Sequence, residues 1–284
     1  LRQQRFDQQK KLGFFPKDLS LPRHDKEYNG KYPAWKDLNK AKQKNWIREM
    51  ATYAAMVEIV DDGIGEVIES LKAKKMYDNT IIVFISDNGA TAEGGFISQL
   101  GAELSNTPYR SSKKYTFEGG VKSPLIIQWP KKLKRSRGKI RRDITHITDI
   151  MPTLLKLSSV KYPKKFKGKN LANLDGRSFA ASLKGKALKF RPFFFEHQSS
   201  CAIINQGWKL VRKNNKQAWE LYDLRKDPFE INNLAQTNQE KFNKLKAEWH
   251  NWAKNNKVLP LFDMSWGWRI KHFEKLNSDQ DGID

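Results

Sequence analysis

Thr80-Ile81-Ile82-Val83-Phe84-Ile85-Ser86-Asp87-Asn88-Gly89 is the stretch on which the reading of this chain turns. It opens with a short apolar run rich in β-branched residues, the pattern of a buried strand rather than a helix. The run stops at Ser-Asp-Asn-Gly, residues with strong turn preference. A carboxylate and a carboxamide therefore stand side by side at the carboxyl end of a buried strand, where open α/β sheets form their ligand crevices. Both side chains present hard oxygen atoms, which suit Ca²⁺ or Mg²⁺ rather than zinc or copper. The same residues also make an ordinary tight turn, so the stretch alone leaves both readings open.

The next informative segment is Asn106-Thr107-Pro108-Tyr109-Arg110-Ser111-Ser112-Lys113-Lys114-Tyr115-Thr116-Phe117-Glu118-Gly119-Gly120-Val121-Lys122-Ser123-Pro124, followed by a second apolar strand, Leu125-Ile126-Ile127-Gln128-Trp129-Pro130. Ser-Asp-Asn-Gly after a strand, then Arg-x-x-Lys, then Phe-Glu-Gly-Gly-Val-Lys-x-Pro resembles, in order and spacing, the sulfatase family. The likeness is to its arylsulfatase-type branch, within the alkaline-phosphatase superfamily, and runs from residue 1 to about residue 260.

The resemblance implies that Asp87 and Asn88 are ligands of one divalent cation, Ca²⁺ in that family. It implies that Lys113 contacts the sulfate and assists the leaving group. Lys114 is the adjacent rival; Lys113 is preferred because the family lysine stands three residues after the arginine, here Arg110. Arg110 and Glu118 orient the loop. Glu196-His197 lies where related sequences carry Glu-His, so His197 either touches substrate at the pocket mouth or is structural.

The family nucleophile, a formylglycine made within Cys/Ser-x-Pro-x-Arg, has no counterpart here. Cys201 is the one cysteine and is followed by Ala-Ile-Ile. The family's paired aspartates follow a first strand, whereas Asp61-Asp62 lie in a helical pattern. The expectation is a C-terminal portion of a sulfatase, inactive alone, with the formylglycine-bearing half elsewhere. The family also implies a periplasmic or secreted location, although no signal peptide is visible at Leu1.

At 284 residues the chain can bury a real core. Its 53 Lys+Arg against 31 Asp+Glu give a net charge of +22, which points to an anionic partner. A sulfated small molecule or polysaccharide fits the resemblance. No zinc-finger or helix-turn-helix pattern supports nucleic acid. The basic run from Lys131 to Arg142 reads as a solvated surface loop. No run of about 18 apolar residues spans a membrane. Oligomeric state is not legible.

Taken in order, Arg2 to Leu12 reads as a short helix, and His24 as a loop histidine. From Lys42 to Lys75 a stripe of Trp46, Met50, Tyr53, Val57, Val60, Ile64, Val67 and Leu71 predicts one long amphipathic helix whose stripe is core. Residues 90–112 read as an active-site loop. Ile144 to Leu157 reads as a helix capped by Thr148 or Asp149, with a structural His146. Asp175-Gly176-Arg177-Ser178 opens a short helix.

Composition shifts near residue 186 to short runs around Phe193, Ala202, Trp208 and Trp219, an antiparallel meander; the resemblance implies that Leu221 to Leu234 closes this small sheet. Phe242, Leu245, Trp249 and Trp252 mark a terminal helix, and the tail beyond about residue 265 reads as loosely held.

The fold expected is α/β. Residues 1–185 form part of a doubly wound, mostly parallel sheet flanked by helices, and 186–284 a small antiparallel sheet with a terminal helix. The function expected is calcium-dependent sulfuric ester hydrolysis, on a sulfated carbohydrate. Two alternatives remain: a metal-dependent phosphatase or phosphodiesterase of the same superfamily, and a basic, non-enzymatic polyanion-binding protein. The first wants a histidine cluster that the sequence lacks; the second explains the charge but not the motif order.

Overall fold

A computed structural model describes residues 1–22, 35–92, 99–259 and 261. His24, part of the 90–112 stretch and the tail beyond 265 lie outside them.

Helix α1 (Arg2–Lys11) buries Phe6. Helix α2 (Lys40–Ala73) starts where the Asn39 side chain accepts a hydrogen bond from the Lys42 amide at 2.9 Å. It runs unbroken through Gly63 and Gly65. The expected helix is there, but its apolar stripe is not core: none of its residues is buried. Trp46, Met50, Tyr53, Ile64 and Leu71 are half-buried, and Val57, Val60 and Val67 are exposed. Asp61 and Asp62 face solvent, as read.

Lys75, at φ +57°, closes the helix, and a 3₁₀ turn leads into β1 (Ile82–Ile85). The stretch read as a pure loop contains a helix, α3 (Gln99–Ser105). A single turn, α4 (Glu118–Val121), precedes β2 (Leu125–Gln128). The α/β order of helix, strand and loop is as expected. The pairing direction differs, since β1 and β2 are antiparallel, Ile82 opposite Gln128 and Ile85 opposite Leu125. Doubly wound sheets commonly carry such an antiparallel strand among parallel ones. Ser86 N–H donates to the Pro124 carbonyl at 3.2 Å, so the ribbon continues to the start of the Ser-Asp-Asn-Gly turn.

Helix α5 (Ile150–Ser158) follows a 3₁₀ turn capped by His146, whose ring accepts from the Thr148 amide. Asp149 serves three donors: the amides of His146 and Arg177 and, at 2.5 Å, the Arg191 guanidinium. After a minimal hairpin, β3 (Lys165–Phe166) and β4 (Lys169–Asn170), and a short α6 (Ala180–Leu183), the meander begins.

Strands β5 (Phe193–His197), β6 (Ser200–Asn205), β7 (Trp208–Arg212) and β8 (Glu220–Asp223) pair in sequence order, all antiparallel. Gln206 and Gly207, both at positive φ, make the tight β6–β7 turn. Helix α7 (Gln239–Asn255) buries Leu245, Trp249 and Ala253 against one face of this sheet, on Cys201, Ile203, Leu210 and Leu221. The opposite face carries Ala202, Lys209, Val211 and Tyr222, and it is covered by Phe117 and Tyr115 of the loop before α4. Both faces of a four-stranded sheet are thus closed, one by a helix and one by the segment that holds the candidate site.

Candidate active site

The residues singled out in the sequence meet along a seam of main-chain contacts. Gly89 N–H, just past Asp87-Asn88, donates to the Gly120 carbonyl at 2.9 Å. Lys113 N–H donates to the Ala90 carbonyl at 2.9 Å, and Gly119 N–H to the Arg110 carbonyl at 2.7 Å. Asn106 ties the same strands of chain together: its Oδ1 accepts from the Ala90 amide at 2.8 Å and its Nδ2 donates to the Ser111 carbonyl at 3.0 Å. The glycines are required by space. A Cβ on Gly89 would lie 1.7 Å from the Gly119 oxygen, and one on Gly120 would lie 1.9 Å from the Tyr115 oxygen. Only glycine lets backbone approach backbone this closely.

This seam presents Asp87 exposed and Asn88 half-buried on one side, and Lys113 exposed on the other. Asn88 Nδ2 donates to the Gly89 carbonyl at 3.0 Å, which leaves its Oδ1 as the outward acceptor. Among the described residues the Asp87 carboxylate has no hydrogen-bond or ion-pair partner. Also among them, no group of three or more His, Cys, Asp or Glu converges on a metal-sized site.

Lys114 is partly buried at φ +88°, and its carbonyl lies 3.0 Å from His197 Nδ1. His197, at the end of β5, therefore reaches the same loop. The β5–β6 hairpin is shaped for this by Gln198 and Ser199, both at positive φ. Hydrogen bonds thus link the segments that carry Asp87, Asn88, Lys113 and His197.

Two residues behind the loop were missed. Lys209, in the middle of β7, is completely buried. Its Nζ lies 2.9 Å from Glu118 Oε1 and 2.8 Å from Glu230 Oε1. Glu230, itself buried and at φ +59°, accepts the Glu118 amide through Oε2 at 2.8 Å. Burial by itself would raise the Glu118 carboxyl, but Lys209 and Lys122 outweigh it and hold it below the usual range. Burial pushes the Glu230 carboxyl up to about 7, against the pull of Lys209. Lys209 stays an ammonium, because its two carboxylates overcome the desolvation that disfavours its charge. Beside this triad, Arg110 donates to Glu220 at 2.8 Å and to the Tyr222 hydroxyl at 2.9 Å, with its guanidinium 4.2 Å from the Phe117 ring centre. Arg110 and Glu118 thus anchor the loop, as read. Lys209 gave one weak signal: a cation in Trp-Lys-Leu-Val, which alternation assigns to a solvent face.

The sulfatase family model matches residues 20–160, and a model described as N-sulphoglucosamine sulphohydrolase, C-terminal, matches residues 110–257. The chain belongs to the sulfatase family. An uncharacterised sulfatase of Schizosaccharomyces pombe is 30% identical over 285 residues, covering 88% of this chain and 50% of its own length. The N-acetylgalactosamine-6-O-sulfatase of Bacteroides thetaiotaomicron is 28% identical over 211 residues, 67% of this chain and 40% of its own. Among solved structures, Ps i-CgsB in complex with k-i-k-neocarrahexaose superposes with TM-score 0.62 at 27% identity, over 94% of this chain and 53% of that one. This sulfatase chain spans about half the length, or less, of the curated relatives it matches. Among the described residues no helix is long and apolar enough to cross a membrane.

Proposed function

We propose that the full-length protein is a sulfuric ester hydrolase acting on a sulfated carbohydrate, in the periplasm or outside the cell. The observation that carries this is the seam that fixes Lys113, through the Ala90 carbonyl, beside the Asp87-Asn88 turn. An exposed ammonium there is a point charge for sulfuryl oxygens and for the departing oxygen. Lys113 is the catalytic lysine in this reading; Lys114 is turned toward Tyr115, its Nζ 6.0 Å from that ring's centre. His197 extends the locus toward the sugar.

The donor set fits a calcium ion. Asp87 offers a carboxylate with no competing partner among the described residues, and Asn88 turns its carboxamide oxygen outward. Bound there, Ca²⁺ would supply Lewis-acid polarisation of the sulfate. Two side chains fall short of the roughly 6–8 oxygens calcium takes. The remaining ligands, and a formylglycine nucleophile, belong to residues outside these 284. The chain alone is then inactive and binds calcium weakly. The carbohydrate assignment draws on the relatives that act on sulfated sugars by name and on the charge of +22, which speeds encounter with polyanions in a salt-dependent way.

The test uses the full-length protein. Sulfate release is measured from a panel of sulfated oligosaccharides and from an aryl sulfate, at low and high salt, before and after EGTA and calcium re-addition. Expected are preference for the oligosaccharides at low salt, loss with EGTA, and a drop in kcat of about 100-fold for Lys113→Ala. Equal or better turnover of the aryl sulfate with no salt effect would reject the carbohydrate reading; activity indifferent to EGTA would reject calcium.

A further inference from the structure

The mechanism sketched above uses Lys113 but gives no task to the fully buried cation behind it. We propose that Lys209 is a positioning residue for Lys113 and for the Asp87-Asn88 turn, an inference that rests on the catalytic reading of Lys113.

The connection is short and continuous. Lys209 binds Glu118 at 2.9 Å, and Glu230, bound to the same ammonium at 2.8 Å, holds the Glu118 amide. Glu118 opens α4, whose next two residues are the glycines of the seam. Gly119 holds the Arg110 carbonyl, and Gly120 receives the Gly89 amide. Displacing Glu118 therefore shifts both sides of the locus together: Gly89 with Asp87-Asn88, and Arg110 with Lys113.

The geometry also argues against mere ballast. The meander face that Lys209 occupies also carries Ala202 and Val211, packed with Phe117 and the Tyr222 ring. An apolar side chain would fill that place at less desolvation expense. What an ammonium adds is one charge shared by carboxylates from two separate segments, residue 118 at 2.9 Å and residue 230 at 2.8 Å. Packing by methyl groups tolerates a slide along the sheet; this arrangement does not. Glu230 keeps its place at positive φ, a backbone state disfavoured for non-glycine residues and retained only where surroundings enforce it.

The full-length protein is studied in two ways. Amide hydrogen exchange is compared between wild type and Lys209→Met. Expected is exchange at least about tenfold faster for Gly89, Lys113, Glu118 and Gly119, with α7 amides within about twofold, which reports an intact core. Kinetics then form a double-mutant cycle with Lys113→Ala. Expected is a loss in kcat of about 10–100-fold for Lys209→Met, with KM changed less than about threefold. In the Lys113→Ala background that loss shrinks below about threefold. Should Lys209→Met fail to fold, Glu230→Gln, which retains the Lys209–Glu118 pair, is read the same way and is expected to give a smaller change of the same pattern. Unchanged exchange across the seam would overturn the inference. So would an equal loss in both backgrounds, the signature of a stability effect. If Lys113→Ala leaves activity intact, the catalytic reading of Lys113 falls instead, and the exchange data alone decide whether Lys209 holds the loop.

Discussion

In the meander, Ile203, Leu221 and Trp249 are all 0% exposed, whereas in α2 Ile59 is 69% and Val67 61% exposed. The contrast extends to the strands. Phe84 and Ile126, cross-strand partners in the β1–β2 ribbon, are 40% and 60% exposed, while each face of the four-stranded sheet is covered. The two regions have similar patterning in sequence, apolar residues at helical or alternating spacing. What differs is where the covering element comes from. The meander is covered by α7, which follows β8 in the same part of the chain, and by the loop before α4; no residue of α2 or of β1–β2 is fully buried among the described residues. Amphipathic periodicity states that a face is to be buried, and is silent on what buries it.

The contrast can be broken most forcefully in the sealed half. Trp249→Ala removes a buried ring that also donates to the Phe195 carbonyl at 3.1 Å. A stability loss of about 3–5 kcal/mol is expected by denaturant midpoint in residues 1–284. Val60→Ala on α2 is expected to change stability there by less than about 0.5 kcal/mol. In the full-length protein, the same α2 substitution is expected to cost more than about 1 kcal/mol, because the proposed remainder of the sheet would cover it. Equal effects of Val60→Ala in both contexts would remove that difference between the two regions.

Next in size is Gly89→Ala, which strikes the junction of open ribbon and closed sheet. Its Cβ would displace the Gly119 carbonyl. A drop in sulfate release of about 100-fold is expected from the full-length protein, with circular dichroism unchanged, since small misplacements of catalytic groups have effects of that order. Retained activity would mean the seam is softer than its contacts suggest.

A smaller effect comes from pH. The Glu230 carboxyl is raised from 4.5 to about 7 in the folded protein, chiefly by burial. The folded state therefore holds a proton that the unfolded chain releases. The contribution of this group to stability is fully present below about 4.5 and is lost as pH rises through about 7. Glu230→Gln is expected to flatten that decline in denaturation midpoints measured across the window.

How much of this was legible follows from the same physics. The 80–85 strand, its polar end, the long helix, the meander and the terminal helix all declared themselves by periodicity and turn residues. Asp87, Asn88 and Lys113 were named from the family resemblance, on the order and spacing of Ser-Asp-Asn-Gly and Arg-x-x-Lys. The exposed stripe of α2 was misread, since its partner is not encoded nearby. Lys209 was missed because a cation in an alternating strand predicts a wet face; only the folding of the 115–121 loop onto the sheet makes that face dry. Helix α3 was missed because the Gly, Ser and Thr residues around it read as loop, although its own Gln99, Leu100, Ala102, Glu103 and Leu104 favour a helix.

The smallest expected effect lies at His146, which caps the turn before α5 and sits 5.8 Å from the Phe195 ring. Burial lowers its pKa below 6.5. Its contribution is present above 6.5 and is lost as pH falls through the lowered value, the opposite sign to Glu230. His146→Ala is expected to cost about 1 kcal/mol at pH 8 and to weaken the acid-side decline in melting temperature.

The glycine seam has a consequence for how such a site can diversify. Its glycine contacts join main-chain atoms of Gly89, Gly119 and Gly120, and so make no demand on the exposed side chains beside them. Exchanges at Lys114 and His197 leave those main-chain bonds in place and remove the contact of His197 Nδ1 with the Lys114 carbonyl. A library aimed at new sulfate-ester preferences would randomise those two positions and hold the three glycines fixed. Inheritance of the support and drift of the specificity are then separate events.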